Sequence, residues 1–355
     1  MNAKFALRRI AVGALAAAAA LATFGLAQAS ADEITGAGST FAQPIYTAWA
    51  QQYAAQGGDS LNYQGIGSGA GVTQIINRTV DFGATDAPVA PERLASNNLV
   101  QFPAVIGAVV VAVNLPGVDA NNLKLTGALL GDIYLGRIRM WNDHRIAALN
   151  PGVSLPALAI APVYRADASG TTSIFTTYLS SVNLAFSTTV GAGSSVSWRA
   201  GIGAPGNPGV AGAIRNTRGG IGYVEYAYAF ENHMQTPKLQ NRSAQWVSPS
   251  MQAFAAAAAT ANWATAPNMA ASMINTTGAA NWPIVSATYI LLPKNPGDPA
   301  RALKVMQFFD WAFRQGGQAA DQLHYIMLPD AVRNQVRQRW CQVQAGGHAV
   351  WTGCH

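Results

Sequence analysis

The sequence predicts an α/β protein of two lobes, each a mostly parallel sheet flanked by helices, and three observations predict it. Short apolar strands alternate with helical segments through most of the chain, which is typical of α/β architecture. Glycine-rich loops follow several of these strands. Finally, 355 residues less a predicted leader of 31 leave 324, which is more than one hydrophobic core usually serves.

The first 31 residues have the pattern of an export signal. Lys4, Arg8 and Arg9 form a basic start, residues 10–27 are apolar and rich in alanine, and small residues around position 29 offer cleavage sites. The alternative is an uncleaved anchor, but this stretch is barely long and apolar enough to span a bilayer. We therefore expect residues 1–31 to be a cleaved signal peptide that directs the chain to the periplasm.

The first three predicted strands each end in a loop of small or polar residues. The predictions are a strand at 34–35 with a helix over 40–53, a strand at 61–66 with a helix reaching 78, and a strand at 80–85. Open α/β sheets bind ligands at the carboxyl ends of their strands. These loops are therefore the first place to look for a ligand site.

Two long apolar runs predict strands that cross between the lobes. Residues 102–115 are too many for an ordinary strand and too β-branched for a comfortable helix, and residues 284–292 form a second such run. Two crossings would make residues 108–285 lobe II, and would leave residues 32–107 with 286–355 as lobe I, joined by a hinge. The alternative is two sequential domains joined once.

The middle of the chain repeats the strand, loop and helix pattern. A strand is predicted at 160–165 and a helix from 169 to about 181. Further helices are predicted at 299–314 and 329–340, and the alanine-rich run 254–261 is predicted to be a surface helix.

The charge balance argues against nucleic acid as a partner. The leader carries three basic and no acidic residues, so the mature net charge is (22 − 3) − 16 = +3. A nucleic-acid-binding surface needs clustered basic residues, and this chain is only 11% charged.

Both cysteines, Cys341 and Cys354, lie near the C-terminus. In an oxidising compartment they are predicted to form one disulfide that closes a terminal loop. His348 and His355 lie nearby, so a metal site is the alternative, but the spacing matches no common zinc pattern.

Three loops share the chemistry of an anion site. Residues 38–41, 67–69 and 169–171 are small, bear hydroxyls and precede predicted helices. A helix start presents unpaired N–H groups and a partial positive charge, both of which suit an anion. Any one of these loops is also an ordinary helix cap. Together they predict an oxyanion site.

Arg165 is the only basic residue next to these loops, and its guanidinium can bind two oxygens of a tetrahedral oxyanion. Asp167 would share its face in an extended segment, and we predict that it orients the guanidinium. The alternative is a weak surface ion pair. Asp86 suits only an anion that carries a proton, so it predicts preference for phosphate over sulfate, unless it is merely a turn residue.

Five motifs resemble the PstS family, the periplasmic phosphate-binding receptors of high-affinity phosphate ABC importers. They occur in the family's order between residues 34 and 340, at 35–41 (TGAGSTF), 63–69 (YQGIGSG), 80–88 (VDFGATDAP), 131–136 (GDIYLG) and 220–229 (GIGYVEYAYA). The resemblance implies a type II-like periplasmic binding protein that holds dehydrated phosphate in the cleft between two hinged lobes. It also implies delivery to an inner-membrane permease and its ATPase. We expect no metal or organic cofactor, and a monomer.

The family's ligand contacts fall on eight positions of this sequence. They are Thr40, Phe41 (through its backbone N–H), Ser68, Asp86, Arg165, Ser169, Gly170 and Thr171. Two neighbouring positions depart from the family pattern, since Gly69 stands for a common serine and Ala168 for a common glycine. The second departure is expected to shift its loop slightly. The cysteine-containing tail is not part of the pattern.

Two other functions compete with this one. The first is binding of another tetrahedral oxyanion, namely arsenate, sulfate or molybdate. The second is a serine phosphatase or esterase that uses Ser68 or Ser169. Neither serine lies in a Gly-x-Ser-x-Gly motif, and no histidine lies near either in sequence, so no enzyme is expected.

Overall fold

A computed structural model describes residues 33–354. The predicted signal peptide and His355 lie outside the described residues. The elements are β1 Ile34–Gly38, α1 Gln43–Ala55, β2 Leu61–Gly65, α2 Ser68–Ile76, β3 Phe82–Thr85, α3 Pro91–Ser96, β4 Leu99–Val113, β5 Lys124–Leu125, α4 Gly127–Tyr134, α5 His144–Leu149, β6 Ala161–Arg165, α6 Gly170–Val182, α7 Leu184–Thr189, β7 Ile202–Ala204, α8 Gly206–Asn216, β8 Gly220–Glu225, α9 Tyr226–Glu231, β9 Lys238–Gln240, β10 Trp246–Val247, α10 Met251–Ala258, β11 Met273–Ile274, β12 Ile284–Pro293, α11 Pro299–Gln315, α12 Gly317–Gln322, α13 Asp330–Arg339, β13 Gln344–Ala345 and β14 His348–Ala349. Short 3₁₀ turns lie at Pro267–Met269 and Trp340–Gln342.

The main sheet has the strand order β2-β1-β3-β12-β4-β8-β6-β7, and β11 pairs with β12. The predicted α/β class is confirmed. Strands β2, β1 and β3 pair in parallel, and so do β8, β6 and β7. The pairs in the middle of the sheet, β3 with β12, β12 with β4 and β4 with β8, are antiparallel. Each end of the sheet is therefore parallel, as predicted, while its centre is not.

Strand β4 belongs to both ends of this sheet. Its residues 99–108 pair with β12, and its residues 109–113 pair with β8. All of its side chains are buried, which explains the near-continuous apolar run in the sequence. We call β2, β1, β3, β12 and residues 99–108 the first half-sheet, and residues 109–113 with β8, β6 and β7 the second half-sheet. The boundaries of the two lobes stay a prediction.

Helix α1 begins at Gln43, three residues later than predicted. A proline in its first turn favours a helix start at this point, because proline fixes φ and lacks the N–H that a first turn leaves unpaired. Residues 39–42 therefore form a separate segment, which we call the first loop.

The predicted surface helix is α10, which begins at Met251 after a Ser250 cap. The structure corrects its placement, because Phe254 is fully buried against the ring of Trp282. Alanine on its other face hid this packing from the sequence pattern. No helix within residues 33–354 has the length and hydropathy needed to cross a bilayer.

A disulfide joins Cys341 and Cys354 across a separation of 13 residues. The loop between them is packed as well as closed. The ring of Trp351 lies edge-on to that of Trp340, with centroids 4.8 Å apart, and Val350 N–H donates to the Val343 carbonyl. The tail is therefore held to the domain independently of the disulfide.

Replacing both cysteines with serine is expected to lower the free energy of unfolding by about 2–3 kcal/mol. A closed loop of this length restricts the unfolded chain by that amount in the entropic model. Urea denaturation of the oxidised protein and the double variant measures the difference, and reduced wild type is the matched control. Equal midpoints would show that packing of Trp351 alone holds the tail.

Candidate ligand-binding site

Loops of the two half-sheets meet beside β4. The Gly69 N–H donates to the Ala168 carbonyl at 2.9 Å, which joins the start of α2 to the loop after β6. Asn207, at the start of α8, donates through Nδ2 to Thr40 Oγ1 at 3.0 Å. The carboxyl ends of β1, β3 and β6 therefore face one small region, as the sequence predicted.

Arg165, the last residue of β6, is held rigidly in this region. Its side chain is only 1% exposed. Its Nε and Nη2 donate to the two carboxylate oxygens of Asp167 at 2.8 and 2.5 Å, and its Nη1 lies 3.3 Å from Thr171 Oγ1. This geometry excludes the alternative of a weak surface pair, because a bidentate pair with a buried guanidinium is both oriented and desolvated.

Asp167 is fixed from a second side, since its Oδ1 also accepts the Gly206 N–H at 3.0 Å. Burial acts to raise the pKa of Asp167, but the hydrogen bonds and charge of Arg165 outweigh it and lower that pKa below its ordinary value. Asp167 therefore stays ionised and holds one edge of the guanidinium, which leaves the Nη1 side directed at Thr171.

Asp86, directly after β3, is 1% exposed. Its Oδ1 accepts the hydroxyls of Ser39 at 2.5 Å and Thr288 at 2.7 Å, while Oδ2 has a longer contact of 3.3 Å with Ser68 Oγ. Burial raises the pKa of Asp86, and the three hydroxyls and the charge of Arg165 oppose that rise. Oδ1 therefore already accepts two short hydrogen bonds, whereas Oδ2 can accept a further hydrogen bond from a ligand.

Helix starts face Asp86 from both half-sheets. Ser68 begins α2, and Gly170 begins α6. A methyl group on Gly170 would lie 2.6 Å from Asp86 Oδ2 and 2.6 Å from Ser68 Oγ, so only glycine fits there. Ser169 caps α6 by accepting the Thr172 N–H at 3.0 Å, which leaves its own hydroxyl proton free to donate.

Two threonine hydroxyls can act only as donors. Thr40 Oγ1 accepts the backbone N–H of Asn207 at 3.1 Å and its Nδ2 at 3.0 Å. Thr171 Oγ1 accepts Asn207 Nδ2 at 3.1 Å and Arg165 Nη1 at 3.3 Å. A hydroxyl has two lone pairs and one proton. Since both lone pairs are occupied in each case, each proton is left to bind an acceptor that no residue within 33–354 supplies.

The two departures from the family pattern compensate each other. A Cβ on Gly69 would lie 2.4 Å from the Cβ of Ala168. A serine at 69 would therefore collide with an alanine at 168, while glycine makes room for it. The loop keeps its hydrogen bond between these residues, so no shift of the kind expected is needed.

All nine residues predicted for the ligand site lie in this region, in contact with one another or with a shared neighbour. They are Thr40, Phe41, Ser68, Asp86, Arg165, Asp167, Ser169, Gly170 and Thr171. The tail with Cys341 and Cys354 lies elsewhere, beside α13.

Sequence reasoning missed Asn207, Ser39 and Thr288. Asn207 is fully buried, but it lies in a Pro-Gly-Asn-Pro-Gly stretch that has the composition of an ordinary turn. Ser39 lies in the predicted loop 38–41, but nothing in the sequence indicates that its hydroxyl binds Asp86. Thr288 did give a signal, because a hydroxyl inside the buried strand β12 requires a hydrogen-bond partner.

The serines show no catalytic arrangement. Ser68 contacts Asp86, and Ser169 contacts the Thr172 N–H. No histidine within the described part of the chain bonds to either serine. Residues 33–354 also contain no cluster of three His, Cys, Asp or Glu side chains that could hold a metal ion.

Comparison with known proteins gives matches over most of the chain. Residues 26–315 match the family model of a PBP superfamily domain. A relative from Pasteurella multocida, named phosphate-binding protein PstS, is 47% identical over 323 residues, which cover 90% of this chain and 94% of the relative. A Haemophilus influenzae protein of the same name is 47% identical, with 88% of this chain and 93% of that protein covered.

The fold also matches solved structures. The crystal structure of a phosphate-binding protein from Stenotrophomonas maltophilia superposes with a TM-score of 0.63 at 20% identity, covering 89% of this chain and 96% of that one. At this identity the match concerns the fold alone.

Proposed function

Since this chain belongs to the PstS family of phosphate-binding proteins, within the PBP superfamily, we propose that it captures inorganic phosphate between its two half-sheets without transforming it. The ligand contacts are the eight family positions, Thr40, Phe41, Ser68, Asp86, Arg165, Ser169, Gly170 and Thr171. Asp167 acts behind them by fixing Arg165.

The observation that carries this proposal is the pair of donor-only hydroxyls beside Arg165. Thr40 and Thr171 come from different half-sheets, and each has a proton with no acceptor left in the hydrogen-bond network around it. A tetrahedral oxyanion supplies several acceptor oxygens in a small volume. The guanidinium and the two helix starts add charge-assisted and backbone donors to the same place.

Asp86 then selects among oxyanions. Its Oδ2 is an acceptor that lies beside Ser68 Oγ and the start of α6, and phosphate near neutral pH still carries a proton to donate to it. Sulfate carries none and would place negative charge against the carboxylate, which is costly in a buried site.

The energetics suit tight binding. Hydrogen bonds to charged groups contribute about 1.5–3 kcal/mol each. Several of them exceed the roughly −8 kcal/mol that a micromolar affinity requires, after the costs of ordering and desolvation.

The same proposal includes the compartment and the partners of the protein. The leader exports it, so it acts in the periplasm as a monomer that delivers phosphate to an ABC permease and its ATPase. It is a binding protein and not an enzyme. The hydrogen bonds of the two serines support this, since Ser68 contacts Asp86, Ser169 accepts the Thr172 N–H, and no histidine within residues 33–354 bonds to either.

Titration calorimetry of the exported chain, residues 32–355, tests this function. We expect one phosphate site of micromolar or tighter affinity, and no detectable heat from sulfate at the same concentrations. Arsenate, which shares the shape and protonation of phosphate, is expected to compete. A chromogenic phosphate ester, incubated with the protein, should be left intact. Binding of sulfate in place of phosphate, or turnover of the ester, would refute the proposal.

A further inference from the structure

Three tyrosine hydroxyls donate hydrogen bonds to three consecutive carbonyl groups of the first loop. We call these tyrosines the tyrosine clamp. The bonds are Tyr63 Oη to the Ser39 carbonyl at 2.7 Å, Tyr228 Oη to the Thr40 carbonyl at 2.6 Å, and Tyr325 Oη to the Phe41 carbonyl at 2.6 Å. Three adjacent carbonyl groups of one short loop therefore each accept a phenol hydroxyl.

The clamp comes from three separate parts of the chain. Tyr63 lies in β2 of the first half-sheet, Tyr228 lies in α9 after the second half-sheet, and Tyr325 follows α12 near the C-terminus. Burial raises the pKa of all three phenols, so each keeps the proton that it donates. The first loop is therefore held from both half-sheets at once.

A hydrogen bond that fixes a carbonyl group also fixes the direction of the N–H in the same peptide unit. The carbonyl of one residue and the N–H of the next lie in one planar peptide unit and point in opposite directions. The bond from Tyr63 therefore sets the direction of the Thr40 N–H, and the bond from Tyr228 sets that of the Phe41 N–H. Both amides point away from the clamp.

The contact between Tyr325 and Glu225 requires a second proton, besides the one on the phenol. Tyr325 Oη lies 2.6 Å from the Phe41 carbonyl and 3.0 Å from Glu225 Oε2. A phenol has one proton, and the carbonyl can only accept. With that proton on the shorter bond, the contact with Glu225 is a hydrogen bond only if the carboxyl of Glu225 donates.

The surroundings of Glu225 favour this neutral form. Glu225 is fully buried, and its Oε1 has no partner among the described residues. Burial raises its pKa well above the ordinary value, and negative charge on Asp86 adds to that rise. The other titratable groups that act on it are the phenols of Tyr226, Tyr228 and Tyr325, none of which supplies a positive charge.

We propose that Tyr63, Tyr228 and Tyr325, with a neutral Glu225 behind Tyr325, are positioning residues for the phosphate site. Tyr63 and Tyr228 fix two peptide planes of the first loop so that the Thr40 and Phe41 amides are directed at the anion before it binds. Tyr325 fixes the next peptide, whose Ala42 N–H donates to Ser39 Oγ, the hydroxyl that in turn donates to Asp86. The bond from α9 also ties this orientation to the position of the second half-sheet. This inference rests on the proposed function, because the amides need an anion to bind.

Phenylalanine variants at the three clamp positions test the inference, since each removes one hydroxyl and keeps the ring. We expect each variant to bind phosphate about tenfold more weakly in titration calorimetry, the equivalent of one hydrogen bond. Tyr134→Phe is the matched control, because its buried hydroxyl donates to the Val163 carbonyl at 3.0 Å, away from the first loop. It should lower the melting temperature and leave phosphate affinity unchanged.

Glu225 is tested by two substitutions. Oε2 of Glu225 contacts Tyr325 and also accepts the Ala227 N–H, so the carbonyl oxygen of a glutamine can replace only the second of these contacts. Glu225→Gln keeps that bond and the volume of the side chain, so it should retain more phosphate affinity than Glu225→Ala. A neutral buried Glu225 also predicts that wild type loses stability relative to Glu225→Gln as pH rises above the ordinary glutamate pKa. In that range only the unfolded chain releases the proton. The melting temperature of wild type minus that of Glu225→Gln should therefore fall from about pH 5 to pH 8.

The outcomes separate this inference from the proposed function. If wild type fails to bind phosphate, the function is wrong. If wild type binds phosphate and all three clamp variants bind it equally well, the positioning role is wrong. A constant gap in melting temperature between wild type and Glu225→Gln would show an ionised Glu225 and overturn that part alone.

Discussion

Replacing Arg165 with alanine is expected to weaken phosphate binding by about 2–5 kcal/mol, or between about thirtyfold and a few thousandfold. Among the nine residues predicted for the site the guanidinium is the one positive side chain, and it is buried and oriented by Asp167. Its loss removes a charge-assisted donor and leaves Asp167 half-buried without its partner. Titration calorimetry of the two proteins with phosphate measures the effect.

The chain offers a matched control for this substitution. Arg145 donates through Nε and Nη2 to Asp143, with both bonds at 2.9 Å, and the two residues are two positions apart as in the site pair. This pair lies on the surface, where Arg145 is 36% exposed. Arg145→Ala should therefore leave phosphate affinity unchanged. Arg165→Lys should fall between wild type and Arg165→Ala, because lysine keeps the charge but not the bidentate geometry. Unchanged affinity in Arg165→Ala would remove this residue from the site.

The fold was largely predictable because its signals are local. Apolar runs followed by glycine loops indicated the strands of both half-sheets. The length and branching of residues 102–115 indicated a strand of unusual extent, and the structure has it at Leu99–Val113. Pairing direction carries no such local signal. The antiparallel pairs at the centre arise because β12 returns late in the chain to lie beside β4, which no sequence period reports. The motifs did predict a periplasmic binding protein fold, and the comparisons confirm it.

The residues proposed to contact the ligand were predictable for a different reason. Thr40, Ser68 and Ser169 precede or begin helices next to glycine, and that chemistry can be seen within a few positions of the sequence. The residues that orient them cannot be seen in this way. Asn207 lies 167 positions from Thr40, and Tyr325 lies 284 positions from Phe41. Their roles depend on contacts between distant parts of the chain, which only the folded chain defines.

Replacing Asp86 with asparagine is expected to reduce the preference for phosphate over sulfate at least about tenfold, since contact between like charges costs several kcal/mol. The amide of asparagine donates where the carboxylate repels. Phosphate should bind more weakly, because its proton loses a charged acceptor, and sulfate should bind more tightly. Competition titrations with both anions give the ratio. Asp310→Asn is the control, because this buried aspartate pairs with Arg337 outside the site and should change stability alone.

The pH dependence gives an independent check on the same carboxylate. Because burial raises the pKa of Asp86 above that of an ordinary aspartate, its proton returns at a higher pH than usual. Protonation removes the charge that repels sulfate, so wild type should lose its selectivity as pH falls towards that pKa, and the loss should begin above the ordinary aspartate range. Asp86→Asn has no proton to gain and should keep a constant ratio. If the two proteins discriminate alike at every pH, the repulsion lies elsewhere, and the donors around Arg165 must select the anion by shape.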